Sequence, residues 1–334
     1  MRLRRPSWPS VALALGSALL LLAGVLYIAP ADQFILLPDE ARALEPLVAV
    51  KGEKPDRDKS GIYYVAVDVR QASLLEELIP GLHDGATLVP EDVYNPQNVD
   101  ERVRRRAELR QMQESQKHAA AVALRELGYR VRIEPVGAQV AQTLKGYPAA
   151  AKLRARDLIT AVDGTPVRIP DDLTRILAGH RPGETVALRV RRQGRVRRVA
   201  IRTVANPMDP RLPFLGVQLR EPKVTLPIPV KFDLGQVGGP SAGLAFALDL
   251  LEELGRDVDR GRRIAATGEI GLDGSVRPVG GLKQKTIGAR RSGMDLFLVP
   301  VQNAAEARQY ADGLRIVPVD SFQQALRALA TPGA

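Results

Sequence analysis

The stretch Gly235-Gln236-Val237-Gly238-Gly239-Pro240-Ser241-Ala242-Gly243, followed by the apolar run Leu244 to Leu254, decides how the second half of this 334-residue chain is read. Glycines and a proline crowd one serine at the start of an expected helix. Glycine lets the backbone take φ values closed to other residues and approach a bound group closely. Amides at a helix N-terminus converge on negative charge, which suits a phosphate or the oxyanion of acyl transfer. Pro240 has no N–H, so the donors would be Ser241 and the glycines before it, Gly238 and Gly239. A serine here is ordinarily only a helix N-cap; the glycines are what argue for chemistry.

A second glycine pair, Gly280-Gly281, opens Leu282-Lys283-Gln284-Lys285. The three histidines, His83, His118 and His180, all precede this region, so a Ser-His-Asp arrangement is not expected there. A lysine can activate a serine when burial keeps its amine neutral. Lys285 follows the glycine turn on a largely apolar helix, with Leu282, Ile287 and Ala289 as desolvating neighbours. Lys283 reads as a surface charge. The chain has no cysteine, which excludes disulfides, thiolate metal sites and a cysteine nucleophile. With the histidines scattered, no metal site is expected, and no cofactor is implied. No G-x-x-x-x-G-K-[ST] stretch is present, so no P-loop ATPase is expected.

Around this pair the pattern alternates strand and helix. Leu215 to Leu219, Val224 to Leu234, Arg263 to Ile270, Leu296 to Pro300 and Leu314 to Val319 are β-rich. Ala242 to Leu254, Leu282 to Arg291, Ala304 to Tyr310 and Phe322 to Leu329 read as helices. Upstream, Val99 to Leu127 reads as a helix ended by Gly128. A strand is expected over Ile62 to Val69, then a short helix, Leu74 to Ile79, capped by Ser73. Leu47 to Val50 can carry a short strand, Lys51 to Ser60 is a charged loop, and Gln33 to Lys59 otherwise carries few repeated signals.

Between the halves, Tyr129 to Ile133 and Val140 to Leu144 are strand-like. Asp163-Gly164 is a tight-turn dipeptide, Asp171 can cap a helix over Leu173 to Ala178, and Thr185 to Val190 and Val196 to Val204 flank Gln193-Gly194. Seven arginines lie between Arg189 and Arg202. They read as the solvated face of a hairpin whose other face carries Val186, Leu188, Val190, Val199 and Ile201. No aromatic residue interleaves them, so nucleic acid is not an expected partner.

The segment from about Gly128 to Thr203 resembles a PDZ domain of the bacterial periplasmic-protease type. The string Leu153-Arg154-Ala155-Arg156-Asp157-Leu158-Ile159-Thr160-Ala161-Val162-Asp163-Gly164 carries the resemblance, with Arg156 where the family usually has glycine. This implies binding of an extended peptide by strand addition beside a helix. Gly238 to Gly243, Thr267-Gly268-Glu269-Ile270 and Pro278 to Lys285 are similar to the proteolytic domain of Lon proteases. That resemblance implies Ser241 as nucleophile, Lys285 as general base and Thr267 as a supporting hydroxyl, with backbone amides of Gly238, Gly239 and Ser241 as oxyanion donors. Many Lon proteases have an acidic residue where this chain has Gly238.

At the N-terminus, Arg2, Arg4 and Arg5 precede an uncharged run from Pro9 to Ala31. Its apolar core, Val11 to Ile28, is long enough to span hydrocarbon as a helix. Basic residues before it and Asp32, Asp39 and Glu40 after it predict a single-pass protein of the cell membrane, N-terminus cytoplasmic and body extracytoplasmic. A cleaved signal peptide ending at Ala29-Pro30-Ala31 is the competing reading. The whole chain resembles the membrane-anchored bacterial PDZ–Lon proteins, called YlbL-like.

The expected architecture is α+β: 1–31 cytoplasmic tip and transmembrane helix, 32–127 intermediate α/β extracytoplasmic region, 128–205 PDZ domain, and 206–334 Lon-type serine–lysine protease domain. The expected function is an ATP-independent serine endopeptidase acting on extracytoplasmic proteins or flexible segments. Its partners would be protein or peptide substrates, membrane lipid and, as the Lon resemblance implies, other copies of itself in a ring. The alternatives are a non-enzymatic PDZ adaptor with a Lon-like binding domain and a small-molecule kinase.

Overall fold

The computed structural model describes residues 8–44, 48–50, 61–96, 98–207, 209–232 and 237–331. Arg2, Arg4 and Arg5, the charged loop 51–60, Asp233-Leu234 of an expected strand and Gly235-Gln236 of the serine motif lie outside those residues. Trp8–Ile28 is a helix, α1, with Leu19, Leu20, Leu21 and Ile28 strongly exposed. Among the described residues, no helix is long and apolar enough to cross a membrane. The expected transmembrane helix is therefore not established by the fold.

The chain continues through β1 (Pro30–Ala43), β2 (Val48–Val50), β3 (Gly61–Ser73), α2 (Leu74–Leu78), β4 (Thr87–Pro90), α3 (Glu91–Tyr94) and α4 (Glu101–Glu126). Ser73 and Glu76 close a capping box on α2, as expected of Ser73. The 14 residues of β1 were illegible as a strand because Pro38, Asp39 and Glu40 break the apolar alternation. The ladder absorbs them in a register shift between Pro38 and Ala41, as a bulge does.

After α4 come β5 (Arg132–Glu134), β6 (Ala138–Thr143), β7 (Leu158–Val162), β8 (Thr165–Pro166), α5 (Pro170–Leu177), β9 (Thr185–Arg192) and β10 (Arg195–Arg202). Then follow β11 (Val204–Ala205), β12 (Pro213–Phe214), β13 (Val217–Leu219) and β14 (Lys223–Thr225). They build a sheet in the order β10-β9-β7-β6-β13 with its own core, which includes Leu173 and Leu177 of α5 and Val186, Leu188, Val190 and Ile201 of the arginine-rich hairpin. Asp163-Gly164 and Gln193-Gly194 all have positive φ, the mark of type I′ hairpin turns. Arg156 also has positive φ, +69°, which is why glycine suits that position.

The last part runs through β15 (Val230–Phe232), α6 (Gly243–Glu253), β16 (Arg263–Ala266), β17 (Glu269–Ile270), β18 (Val276–Arg277), α7 (Leu282–Arg291), β19 (Leu296–Pro300), α8 (Ala304–Gln309), β20 (Arg315–Val319) and α9 (Phe322–Ala330). Its strands do not form a separate sheet. They join the N-terminal strands in the order β20-β19-β16-β3-β1-β4. Along β19, Leu296 and Leu298 face one core with α4, α6 and α9, while Phe297 and Val299 face another with α7 and α8. A sheet covered on both faces demands apolar residues at every strand position, and Leu296–Pro300 is buried throughout.

The expected domain division is corrected on two counts. Residues 32–127 do not form a separate region: β3 pairs with β16, and Met112, Ala119 and Leu124 of α4 lie in one core with Leu244 and Phe246 of α6. Residues 206–225 belong with the middle sheet, because β13 pairs with β6 and β14 with β5. Strand pairing, which is long-range, decides both points; composition carries no trace of it.

Candidate active site

The loop before α6, the end of β16 and the start of α7 meet beneath α4. Ala242, not Ser241, is the N-cap of α6, and no side chain caps it. The Ser241 hydroxyl is therefore not consumed by the helix. The Ser241 carbonyl accepts from Gly268 N–H at 2.8 Å and from Thr267 Oγ1 at 3.1 Å. Thr267 Oγ1 in turn accepts from Lys285 Nζ at 3.3 Å. One threonine thus links the lysine amine to the serine backbone. Among the described residues, no hydrogen bond joins the Ser241 hydroxyl to Lys285; both line a cleft of about 1220 Å³.

Gly281 holds the turn into α7 with φ +71°. A Cβ there would also meet Val67 Cγ2 at 2.7 Å, so the turn lies against β3. One turn into the helix, Lys285 is 4% exposed. Burial pushes its pKa down from 10.5 to about 7, because a low-dielectric surrounding disfavours the charged form. Lys283 is not a free surface charge: its Nζ donates to Ala86 O at 2.8 Å and Thr87 Oγ1 at 3.1 Å, pinning the turn before β4.

Of the expected oxyanion donors, Gly239 N–H is already taken: it donates to Glu108 O on α4 at 3.0 Å. A Cβ on Gly238 would come within 2.9 Å of Glu108 Cβ, so α4 lies directly on these glycines. Ser115, two turns further along the same face, donates to Pro240 O at 2.9 Å. Sequence reasoning missed both α4 contacts, because Ser115 lies in the polar run Gln113-Glu114-Ser115-Gln116-Lys117 and gives no signal. It also missed a polar bridge from the middle sheet. Asp171 does not cap α5. Asp172 reaches back to the Arg168 and Ile169 N–H groups, while Asp171 accepts from Leu272 N–H at 2.7 Å and from Arg277. Arg277 also donates to Glu269 at 2.9 Å, and Glu269 lines the cleft.

The cleft has a further wall. β3 pairs with β16 only over Gly61–Tyr64, while β1 covers its other edge as far as Ser73. The Val65–Val69 edge therefore opens into the cleft beside Ser241 and Lys285.

Residues 230–331 match the family of the Lon protease (S16) C-terminal proteolytic domain, and residues 118–203 match the PDZ family. Lon protease 1 of Myxococcus xanthus is 42% identical over 93 residues, 27% of this chain and 11% of that protein. Lon protease of Clostridium beijerinckii is 34% identical over 123 residues, 35% and 15% of the two chains. Lon protease 1 of Bdellovibrio bacteriovorus is 31% identical over 159 residues, 47% of this chain and 20% of that one. The chain thus spans at most a fifth of the length of these relatives. Among solved structures, the PDZ domain of an SdrC-like protein from Listeria innocua is 23% identical, with 25% of this chain and 94% of that one covered and a TM-score of 0.24. Two family matches therefore stand in one polypeptide: the chain carries a PDZ domain and a Lon-type (S16) proteolytic domain.

Proposed function

We propose that this protein is an ATP-independent serine endopeptidase with a Ser241–Lys285 dyad. The observation that carries the reading is the buried Lys285 amine, with its pKa lowered to about 7, in one cleft with a serine that caps nothing. Neutral Lys285 takes the Ser241 Oγ proton as Oγ attacks a peptide carbonyl. The N–H of Ser241 receives the developing oxyanion. Lysine passes the proton to the leaving amine as the C–N bond breaks. A water then gives its proton to Lys285 and attacks the acyl ester, and Ser241 recovers its proton. Thr267 keeps the amine aligned and the Ser241 backbone fixed.

The substrate enters as an extended segment of a protein along the open Val65–Val69 edge of β3, where backbone hydrogen bonds need no side-chain specificity. The enzyme acts on flexible segments, which the PDZ domain recruits or whose access it regulates. The N-terminal helix is a retained anchor in the cell membrane, with the body extracytoplasmic. Its charge-free sequence supports this, and so does the start of β1: Ala31 is 2% exposed and Ala29 O accepts from Leu74 N–H at 2.9 Å. Cleavage after Ala31 would cut into the sheet.

One observation favours the adaptor reading, in which the Lon-type domain only binds: the Gly239 amide is occupied by Glu108. The deciding experiment is cleavage of an unfolded model protein by the full chain in detergent micelles without ATP, beside Ser241→Ala and Lys285→Met. Cleavage by the wild type that both variants lose supports the dyad. A folded wild type that cleaves nothing supports the adaptor, and cleavage surviving Ser241→Ala refutes the assignment of the nucleophile.

A further inference from the structure

Glu114 and His118 stand one turn apart on α4 and share a face. Glu221, between β13 and β14, reaches the same point from the segment leaving the PDZ sheet. One ligand atom from each of the three side chains lies within 4.8 Å of the others. His118 Nε2 and Glu221 Oε2 are 3.4 Å apart, yet this ring nitrogen is buried and makes no hydrogen bond. A buried polar atom left in that state costs about 1–3 kcal/mol.

His118 and Glu221 face each other as an ion pair without hydrogen-bond geometry, and a metal ion between them satisfies both the buried nitrogen and the carboxylate. Zinc bonds of about 2.0–2.2 Å in a tetrahedron put neighbouring donors about 3.3–3.6 Å apart, and the His118–Glu221 separation falls in that range. One imidazole and two carboxylates form a donor set for a borderline divalent cation. Lys117 Nζ holds Glu114 Oε1 at 3.0 Å from a half-exposed position. The metal would use the second oxygen of Glu114 or displace this mobile lysine.

We propose that Glu114, His118 and Glu221 form a zinc-type divalent metal site that ties the segment leaving the PDZ domain to α4. Ser115, the residue after Glu114, grips Pro240 O. The ion therefore secures α4 at the turn that holds the loop of Ser241. Glu114-x-x-x-His118 is readable in the sequence as a ligand pair on one helix face; the third ligand, about a hundred residues on, is not.

The test is titration of the chelator-stripped full chain with Co²⁺, followed by its visible absorption, with Zn²⁺ as competitor. One equivalent of Co²⁺ should bind and be displaced by one of Zn²⁺. Glu221→Gln should weaken binding at least tenfold, and His118→Ala should abolish it. Glu221 has a 59% exposed side chain, so its variant decides the question even if His118→Ala does not fold. No saturable uptake by the wild type overturns the proposal. So does uptake unchanged in Glu221→Gln, or lost only in His180→Ala. The readout is metal uptake, so it stands apart from whether the protein cleaves peptides.

Discussion

Replacing Lys285 by Met should stabilise the protein while abolishing its activity, and the gain should depend on pH in a defined way. The folded pKa of Lys285 is about 7 against 10.5 for an exposed lysine. Between those values the unfolded chain binds a proton that the folded chain does not, so stability rises with pH across that window and is lowest, and flat, below it. Lowering the pKa from 10.5 to about 7 amounts to a penalty of about 4 kcal/mol at pH 7 and about 2 kcal/mol at pH 9. Met keeps most of the buried chain and carries no proton. Losing the bond to Thr267 takes back about 1 kcal/mol. Lys285→Met should therefore exceed the wild type by about 3 kcal/mol at pH 6.5–7 and by about 1 kcal/mol at pH 9. Urea denaturation followed by far-UV circular dichroism at the two pH values measures both differences. A variant no more stable than the wild type at pH 6.5, or a gap of equal size at both pH values, would refute the desolvated-lysine argument and remove the main physical support for a neutral general base.

The same pKa sets the kinetics: kcat/KM for peptide cleavage should rise with pH through about 7 and then level, since only the neutral amine accepts the serine proton; a rate flat from pH 5.5 to 8.5 would contradict it. Thr267→Val removes the hydroxyl that joins Lys285 Nζ to the Ser241 carbonyl and should lower kcat by roughly 10–100-fold with KM little changed, while Thr267→Ser restores most of it; a change confined to KM would show that the threonine only shapes the cleft. Gly288→Ala puts a methyl 2.0 Å from Asp39 O, where α7 crosses β1, and should cost about 1–3 kcal/mol or more through overpacking; an unchanged urea midpoint would mean that α7 can retreat from the sheet.

The local features of the site were legible because they are written in contiguous residues. Gly280-Gly281 predicts a break and a helix start, and α7 begins at Leu282. Ser241 sits where a glycine-rich turn meets an apolar helix, and α6 begins two residues later. What could not be read is what comes from far along the chain. The open edge of β3 exists because β16 is four residues long and β3 is thirteen; neither length says that the two strands pair. Glu108 and Ser115 lie on a helix whose first half is mostly charged, with Val103, Ala107, Leu109 and Met112 scattered through it, so no apolar stripe marks the face that meets Gly239 and Pro240.

That same helix gives the architecture its logic. α4 leaves the shared sheet, lays Glu108 and Ser115 on the serine loop, and ends at Glu126, ahead of the PDZ sheet. The chain returns from that sheet through Glu221, close to His118 of α4, before entering the strand that leads to Ser241. The PDZ domain is thus inserted between two segments that both bear on the Ser241 loop, and Asp171 touches the protease unit again at Leu272 and Arg277. Asp171 stands at the start of α5, and Arg277 joins it to Glu269 on the cleft wall. The insertion point, the α4 contacts and the Asp171 bridge thus give the PDZ sheet three separate contacts with the unit that carries Ser241.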